Sequence, residues 1–361
     1  MKSGFFGLWI AAGCALVLGS AGASQPGNDA LSTPAVLTAK SDRAVLQAIT
    51  RAGQRMVAVG ERGLVLLSDD NGQSWRQASV PVGCTLTAVQ FVDAANGWAV
   101  GHAGVILHSS DGGERWTVQL DGRQAAQLEL TAASAEATDV AAQQRISAAR
   151  RLVEDGADKP FLALAFADAN HGTAVGAFGL AFHTDDGGAT WASWMGRLPN
   201  PQGLHLYAVA QAGQQIYLVG EQGLVLRSGD GGERFDALAS PYEGSYFSAA
   251  LLPAGGLVIA GLRGKVFFSD DQGQSFRPVT GSAAVSVNAI TMTGDRLMFV
   301  DQAGGVFQSD VTKLHLTPLQ TPPGHPLTDV AQAPDGSLTG VGFTGVTRFS
   351  PAVAAAQSIA E

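Results

Sequence analysis

The octapeptide SDDNGQSW occupies residues 68–75, and near copies follow: SSDGGERW at 109–116, TDDGGATW at 184–191, SGDGGERF at 228–235 and SDDQGQSF at 269–276. Each closes a longer unit: AVGERGLVLLSDDNGQSW from Ala58, AVGHAGVILHSSDGGERW from Ala99, AVGAFGLAFHTDDGGATW from Ala174, LVGEQGLVLRSGDGGERF from Leu218 and IAGLRGKVFFSDDQGQSF from Ile259. Two decayed copies follow, FVDQAGGVFQSD from Phe299 and GVGFTGVTRFS from Gly340. The opening Ser or Thr of each copy falls at Ser68, Ser109, Thr184, Ser228, Ser269, Ser309 and Ser350, at intervals of 41, 75, 44, 41, 40 and 41 residues. A period near forty with short Val-, Ile- and Leu-rich runs between Gly and Asp predicts four-stranded propeller blades. The expected fold is all-β: a seven-bladed β-propeller.

Blade two shows the unit: LTAVQFVD as inner strand, GWAVGH as second, GVILHS as third and RWTVQL as outer strand. The last copy ends in FSPAVAAAQ with no fourth strand, and TPAVLTAK before the first copy belongs to no complete blade. The segment around residues 34–40 is therefore expected to supply the outer strand of blade seven and close the ring. The long interval holds a different sequence, about residues 121–160, rich in Ala, Gln, Glu and Arg. Ile146, Ala149 and Val153 share a helical stripe and Gly156 and Pro160 end it, which predicts a helical insertion between blades two and three.

The octapeptides fall at the turn between third and outer strands. There the side chains of Asp70, Asp111, Asp186, Asp230 and Asp271 can accept backbone N–H groups of their own turn, while the Gly two positions on tolerates a left-handed backbone. The closing Trp or Phe then packs between strands. An element repeated in successive blades cannot converge on one site, so these residues read as scaffold.

Composition narrows the function. A formal charge of -9 without a basic cluster argues against nucleic acid as partner. The leader MKSGFFGLWIAAGCALVLGSAGAS carries one Lys, an apolar run from Phe5 to Leu18 and AGA ending at Ala23. It predicts a signal peptide over residues 1–23, an exported periplasmic protein from residue 24 to 361, and no membrane span. Cys14 lacks the usual preceding Leu, so a lipid anchor there is not expected. Removal of the leader leaves Cys84 alone, hence no internal disulfide. Seven His residues without paired spacing and Gly-rich turns that join strand to strand predict neither metal nor cofactor. A monomer is expected.

Antiparallel alternation puts the second-to-third turns and the blade connections on the face opposite the octapeptides. Those turns read GERG, GHAG, GAFG, GEQG, GLRG, DQAGG and GFTG, with Arg62, Glu221 and Arg263 among their variable centres. Two connections there, RLPNPQGLHLYAV and SPYEGSYFSA, concentrate aromatic and polar residues. Asn200, His205, Tyr242 and Glu243 in them join the three turn residues as candidate partner-binding side chains. The plainer alternative is that Tyr207 and Phe247 simply begin inner strands and pack.

The octapeptide resembles the Asp-box of sialidases and other secreted propellers. The repeat AVGxxGxxxxSxDGGxxW, preceded in blade two by FVDAANGWAVG, resembles the propeller family of photosystem II stability and assembly factors. NPQGLHLYAV, SPYEGSYF, GLRGKVFFSDDQGQSF and RLVEDGADKPF resemble its non-photosynthetic exported branch. The resemblance implies a non-catalytic assembly chaperone or accessory factor for a membrane or envelope protein complex, a transporter among the possibilities. The rival function is an exo-glycosidase of sialidase type. It requires three converging arginines, a Tyr nucleophile and acidic partners, for which Arg62, Arg263, Tyr242 or Tyr246, and Glu243 supply parts. The Arg-Ile-Pro stretch of sialidases is absent where this chain has ITRAGQRMVAVG.

Overall fold

The computed structural model describes residues 29–135, 140–321 and 326–350. The leader with Cys14, and His325, lie outside the described residues. Seven antiparallel sheets follow one another in chain order, six of four strands and a last one of three. Their first strands are Leu46–Ala52, Leu86–Phe91, Phe161–Phe166, Leu206–Ala212, Tyr246–Leu251, Val287–Thr293 and Leu327–Gln332. Each packs against the first strand of the next sheet, and the seventh against the first, so these strands form the inner ring. The second strands are buried beyond their first residue, and wholly so in Gly97–Gly101 and Leu257–Gly261. A strand sandwiched between neighbouring blades has no solvent face, hence the continuous apolar runs.

The Gly that ends most second strands answers to close approach. A Cβ on Gly60, Gly101, Gly176, Gly261 or Gly342 would stand 2.2 Å from the carbonyl oxygen of Val45, Thr85, Pro160, Ser245 or Pro326. These are the residues just before the inner strands, and in blades one, two, three and five the next turn N–H donates to that same oxygen, as Glu61 N does to Val45 O at 3.0 Å. The glycine of the AVG motif thus locks each second-to-third turn onto its inner strand.

Ring closure differs from the expectation. Segment 34–40 runs beside blade one, not blade seven: Ala35 N donates to Val80 O at 3.1 Å, and Gln77 exchanges side-chain hydrogen bonds with Thr38 N and Val36 O. Val80, just beyond the outer strand of blade one, supplies the carbonyl that holds the segment there. Among the described residues blade seven therefore keeps three strands, and side chains close the seam. Thr328 Oγ1 donates to Leu46 O at 2.9 Å, Ile49 N donates to Asp329 Oδ2 at 3.0 Å, and Arg348 Nε donates to Asn71 O at 2.9 Å. Leu46 and Ile49 share a buried cluster with Ala331 and Val341 across that seam.

The insertion is two helices, α1 (Gly122–Ser134) and α2 (Val140–Asp155). Asp121 caps α1 by accepting from Arg123 N and Gln124 N, while Gln124 returns a bond to Asp121 N, a capping box. Gly156 follows α2 at φ 76° as a left-handed stop. The pair neither roofs the channel nor stands free. Helix α1 lies on the outer strand of blade three, Ala192–Ser193, and on the blade-two turn His102–Gly104. Glu129, 2% exposed, accepts Arg145 Nε at 2.9 Å and Arg145 Nη2 at 3.0 Å from α2, and also the Ser193 hydroxyl. Ala149 of the predicted stripe is buried, whereas Val153 is largely exposed. Among the described residues no helix is long and apolar enough to cross a membrane.

Candidate functional site

The boxes are structural knots. In box three Asp186 accepts Thr184 Oγ1 at 2.8 Å, Thr190 N at 2.8 Å and Thr190 Oγ1 at 2.7 Å, and Gly188 N donates to Thr184 Oγ1 at 2.8 Å. Box one repeats this with Ser68, Asp70, Gly72 and Ser74, and box five with Ser269, Asp271, Gly273 and Ser275. Hydrogen bonds from the hydroxyls of Ser74, Thr190 and Ser275 pull the carboxyls of Asp70, Asp186 and Asp271 down to about 2. Asp111 and Asp230 make the same Ser bonds and also lie below the usual range.

Each box is also gripped by the preceding blade. Arg55 donates to Gly112 O, Trp98 and Gln119 to Gly187 O, Arg197 to Gly232 O, Arg227 to the Gln272 side chain, and Arg348 to Asn71 O. The turn bonds hold those acceptors in place, so the boxes serve blade-to-blade adhesion. Asp186→Ala is expected to lower stability by about 1–2 kcal/mol through lost turn bonds, with partner binding unchanged. Parallel thermal melting and binding assays check this, and unchanged melting with lost binding would show the box to be a site.

On the opposite face five turns carry a non-glycine residue with left-handed backbone: Arg62 (φ 54°), Ala103 (58°), Phe178 (55°), Gln222 (52°) and Arg263 (57°). Glycine would fit there more cheaply, since the left-handed region costs an L-residue about 1 kcal/mol. The geometry turns Arg62, Phe178 and Arg263 out to solvent, Phe178 being 54% exposed. Glu221 does the reverse. Its Oε2 accepts His205 N at 2.8 Å, as Glu61 Oε1 accepts Val45 N at 3.2 Å in blade one. Both acids are committed to the start of an inner strand, which leaves the arginines as the outward charges of these turns.

The other sequence candidates fall into different roles. Asn200 clamps its own loop, donating to Leu204 O at 2.9 Å and accepting from Leu204 N at 3.0 Å. Tyr242 is half-buried, its ring edge-on to Tyr246 at 6.3 Å and near Phe267 at 6.4 Å, so it is a packing residue. Glu243 is exposed beside it. His205 stands between Phe178 and Tyr207, with ring centroids 4.8 and 6.1 Å away. Among the described residues no three His, Cys, Asp or Glu side chains gather as a metal site.

A feature absent from the sequence reading completes the face. All seven inner strands slip register at their second residue, so one residue per blade bulges at the channel mouth: Gln47, Thr87, Leu162, Tyr207, Phe247, Asn288 and Thr328. Three of the polar ones reach the next inner strand, Thr87 to Phe161 O at 2.8 Å, Thr328 to Leu46 O at 2.9 Å and Asn288 to Leu327 O at 3.4 Å. The apolar and aromatic ones, Leu162, Tyr207 and Phe247, are consecutive on blades three to five. Tyr207 and Phe247 pack edge-on at 5.3 Å, and burial together with Glu221, 3.4 Å from the hydroxyl, pushes the Tyr207 phenol up. Alignment of Tyr207 and Phe247 with Thr87 in the repeat was the available signal. Lys159, where the insertion ends, holds its ammonium 5.2 Å above the Phe178 ring.

Fold and face define a seven-bladed Asp-box propeller with its variable surface opposite the boxes. The family model for Photosynthesis system II assembly factor YCF48 matches residues 71–140 and 142–242. The Photosystem II assembly lipoprotein Ycf48 of Synechococcus sp. (strain CC9902) is 26% identical over 185 residues, 49% of this chain and 54% of that protein, a distant relation spanning about half of each. Solved structures similar in fold include YCF48 bound to D1 peptide (TM-score 0.60, 13% identity, 88% of this chain and 99% of that one) and YCF48 from Cyanidioschyzon merolae (0.60, 14%, 88% and 98%). The WD40 propeller domain of Doa1 superposes equally well (0.62, 11%, 91% and 97%), so these likenesses speak for the propeller itself.

Proposed function

We propose that this chain is an exported, periplasmic, non-catalytic assembly or accessory factor that docks a segment of a membrane or envelope protein complex on the face opposite its boxes. The observation that carries the reading is the set of exposed side chains held left-handed on locked turns, Arg62, Phe178 and Arg263, with Glu61 and Glu221 drawn inward beside them. Arg and aromatic side chains on a rigid frame are the types that dominate protein recognition. Sequence similarity to the Ycf48 assembly factors over residues 71–242 supports it, as does a fold relative solved with a peptide of another protein. The complex served is read as an envelope complex of transport type, on the sequences NPQGLHLYAV and SPYEGSYF. The parts of a sialidase centre are scattered or spent: Arg62 and Arg263 sit on blades one and five, and Tyr246 is fully buried with its hydroxyl 2.9 Å from Ser240.

The test is affinity purification from envelope extracts with cross-linking, wild type against Arg62→Glu/Arg263→Glu. Capture of the cross-linked partner is expected to fall at least about tenfold, with melting unchanged because both side chains are solvated. Undiminished capture, or cleavage of sialosides by the purified protein, overturns the reading.

A further inference from the structure

The third strand of blade seven, Gly345–Phe349, has an outer edge that no described strand covers, and we propose that residues 351–361 of this chain pair with it as a fourth strand. Val65, Ile106, Ala181, Val225, Val266 and Val306 lie opposite the last residue but one of their second strands, and each is at most 2% exposed. Val346 holds that place in blade seven, opposite Val341, and is half-buried. One residue on, Leu66, Leu107, Phe182, Leu226, Phe267 and Phe307 are buried, whereas Thr347 is again half-buried. The difference is the outer strand that covers the first six. Antiparallel alternation turns the main-chain N–H and C=O of Val346 and Arg348 out of the sheet, where among the described residues nothing pairs with them. Both residues are reachable, Arg348 being exposed, and such an edge is a template for a strand.

The other blades supply the register. Their pairs Leu66↔Gln77, Leu107↔Val118, Phe182↔Ser193, Leu226↔Ala237, Phe267↔Pro278 and Phe307↔Pro318 share one spacing. In five of them the residue after this pair bonds back to the place that Val346 holds, as Ala78 N donates to Val65 O at 2.9 Å and Leu319 N to Val306 O at 2.8 Å. The same spacing sets Thr347 opposite Ser358 and Ile359 N toward Val346 O. The tail suits those places. Gln357 and Ser358 are polar, as are Arg76 and Gln77 in blade one, and Ile359 is apolar, as are the buried Ala78, Trp194, Val279 and Leu319. Blade six shows that the turn needs no box: SDVTKLHL at 309–316 lacks its glycines, yet Phe307 still pairs with Pro318. The N-terminal segment is no rival, because Val80 and Gln77 hold it on blade one. Its turn Ser41–Arg43 covers only the Gly345 end, where a Cβ would stand 2.0 Å from Asp42 O, so Val346–Phe349 is the stretch left for the tail.

Thr347→Cys/Ser358→Cys puts two thiols on a directly opposed pair, whose Cα separation of roughly 4.5–5.5 Å lies within disulfide range. Under mild oxidation the purified protein is expected to close this bond within the monomer at least about tenfold faster than Thr347→Cys/Gln357→Cys, in which the pleat turns the second thiol to the other face. Cys84 is buried and does not compete. Deleting residues 351–361 should speed amide exchange at Val346 and Arg348 by about tenfold or more, while the second strands of blades two to five keep their protection. If the shortened chain fails to fold, the two thiol pairs decide the matter in the full chain. Disulfides that join two chains identify a second copy as the occupant and overturn the proposal. Equal bonding by both thiol pairs, bonding by neither, or exchange at Val346 and Arg348 that a folded deletion leaves unchanged overturns it as well.

Discussion

Glu129→Ala is expected to release the helical insertion from the propeller while leaving the seven blades folded. The carboxylate takes two bonds from one guanidinium and one from Ser193, tying α1 to α2 and both to blade three. It is almost wholly shielded from water, and the Arg145 side chain is 16% exposed. Removing the carboxylate breaks all three of these bonds to one buried charged acceptor, and at about 1.5–3 kcal/mol for a bond to a charged group the loss comes to about 3–5 kcal/mol. The loss will not reach the whole molecule, because α1 and α2 can lift off as a unit and cap it at the free energy of local opening. Amide exchange over residues 122–155 should therefore rise by about a hundredfold or more, with the second strands unaffected. Glu129→Met/Arg145→Met should recover most of the protection, since apolar groups of similar volume replace a buried pair at little cost. Exchange that rises evenly through the blades would mean that the insertion is part of the propeller's cooperative unit.

The blade count was legible because each box sets a fixed interval, and the faces followed from strand alternation alone. What escaped reading are features made by one residue per blade. A bulge is a slip of register, and LYAV or YFSA taken alone marks no residue as left out of the ladder; only alignment with LTAV of blade two groups Tyr207 and Phe247 with Thr87. Glu221 was legible as an acid on a turn, but not as one folded back onto His205 N, because that bond depends on the close approach of turn and inner strand. Tyr242 looked like an anchor for docking by composition, yet Tyr246 and Phe267 enclose it. The ring closure was misplaced for a related reason. The seam is written in Thr328, Asp329 and Arg348, whose partners lie 282, 280 and 277 residues away.

Asp329→Asn is expected to gain stability relative to wild type as pH rises from mild acid to neutral. The carboxyl sits where blades six, seven and one meet, accepting Ile49 N at 3.0 Å, Val330 N at 2.8 Å and Thr291 Oγ1 at 3.2 Å. Burial raises it from 3.8 to about 6 in spite of those bonds. A raised carboxyl contributes stability that is fully present below its unfolded value near 4 and is lost as pH rises through 6. Two units correspond to about 3 kcal/mol, an upper bound because Asp329 is only partly buried. The Asn amide carries no charge to desolvate, but it keeps one acceptor oxygen, and its NH2 faces one of the two backbone N–H groups at every pH. The stability of Asn relative to wild type should thus rise by about 2–3 kcal/mol between pH 4 and pH 7.5, from an offset at pH 4 set by the one N–H that the amide leaves unpaired. Box carboxyls titrate lower and half-buried His183 and His108 below their usual value, but these are common to both proteins and cancel in the difference. Asp329→Ala should instead destabilise at every pH by about 1–3 kcal/mol, since Ile49 N then faces the seam unpaired. Urea titrations of the three proteins at pH 4.5 and 7.5 decide it. Parallel pH curves for Asp329→Asn and wild type would show that the seam holds its carboxylate without strain, and that the closing of the ring is indifferent to its charge.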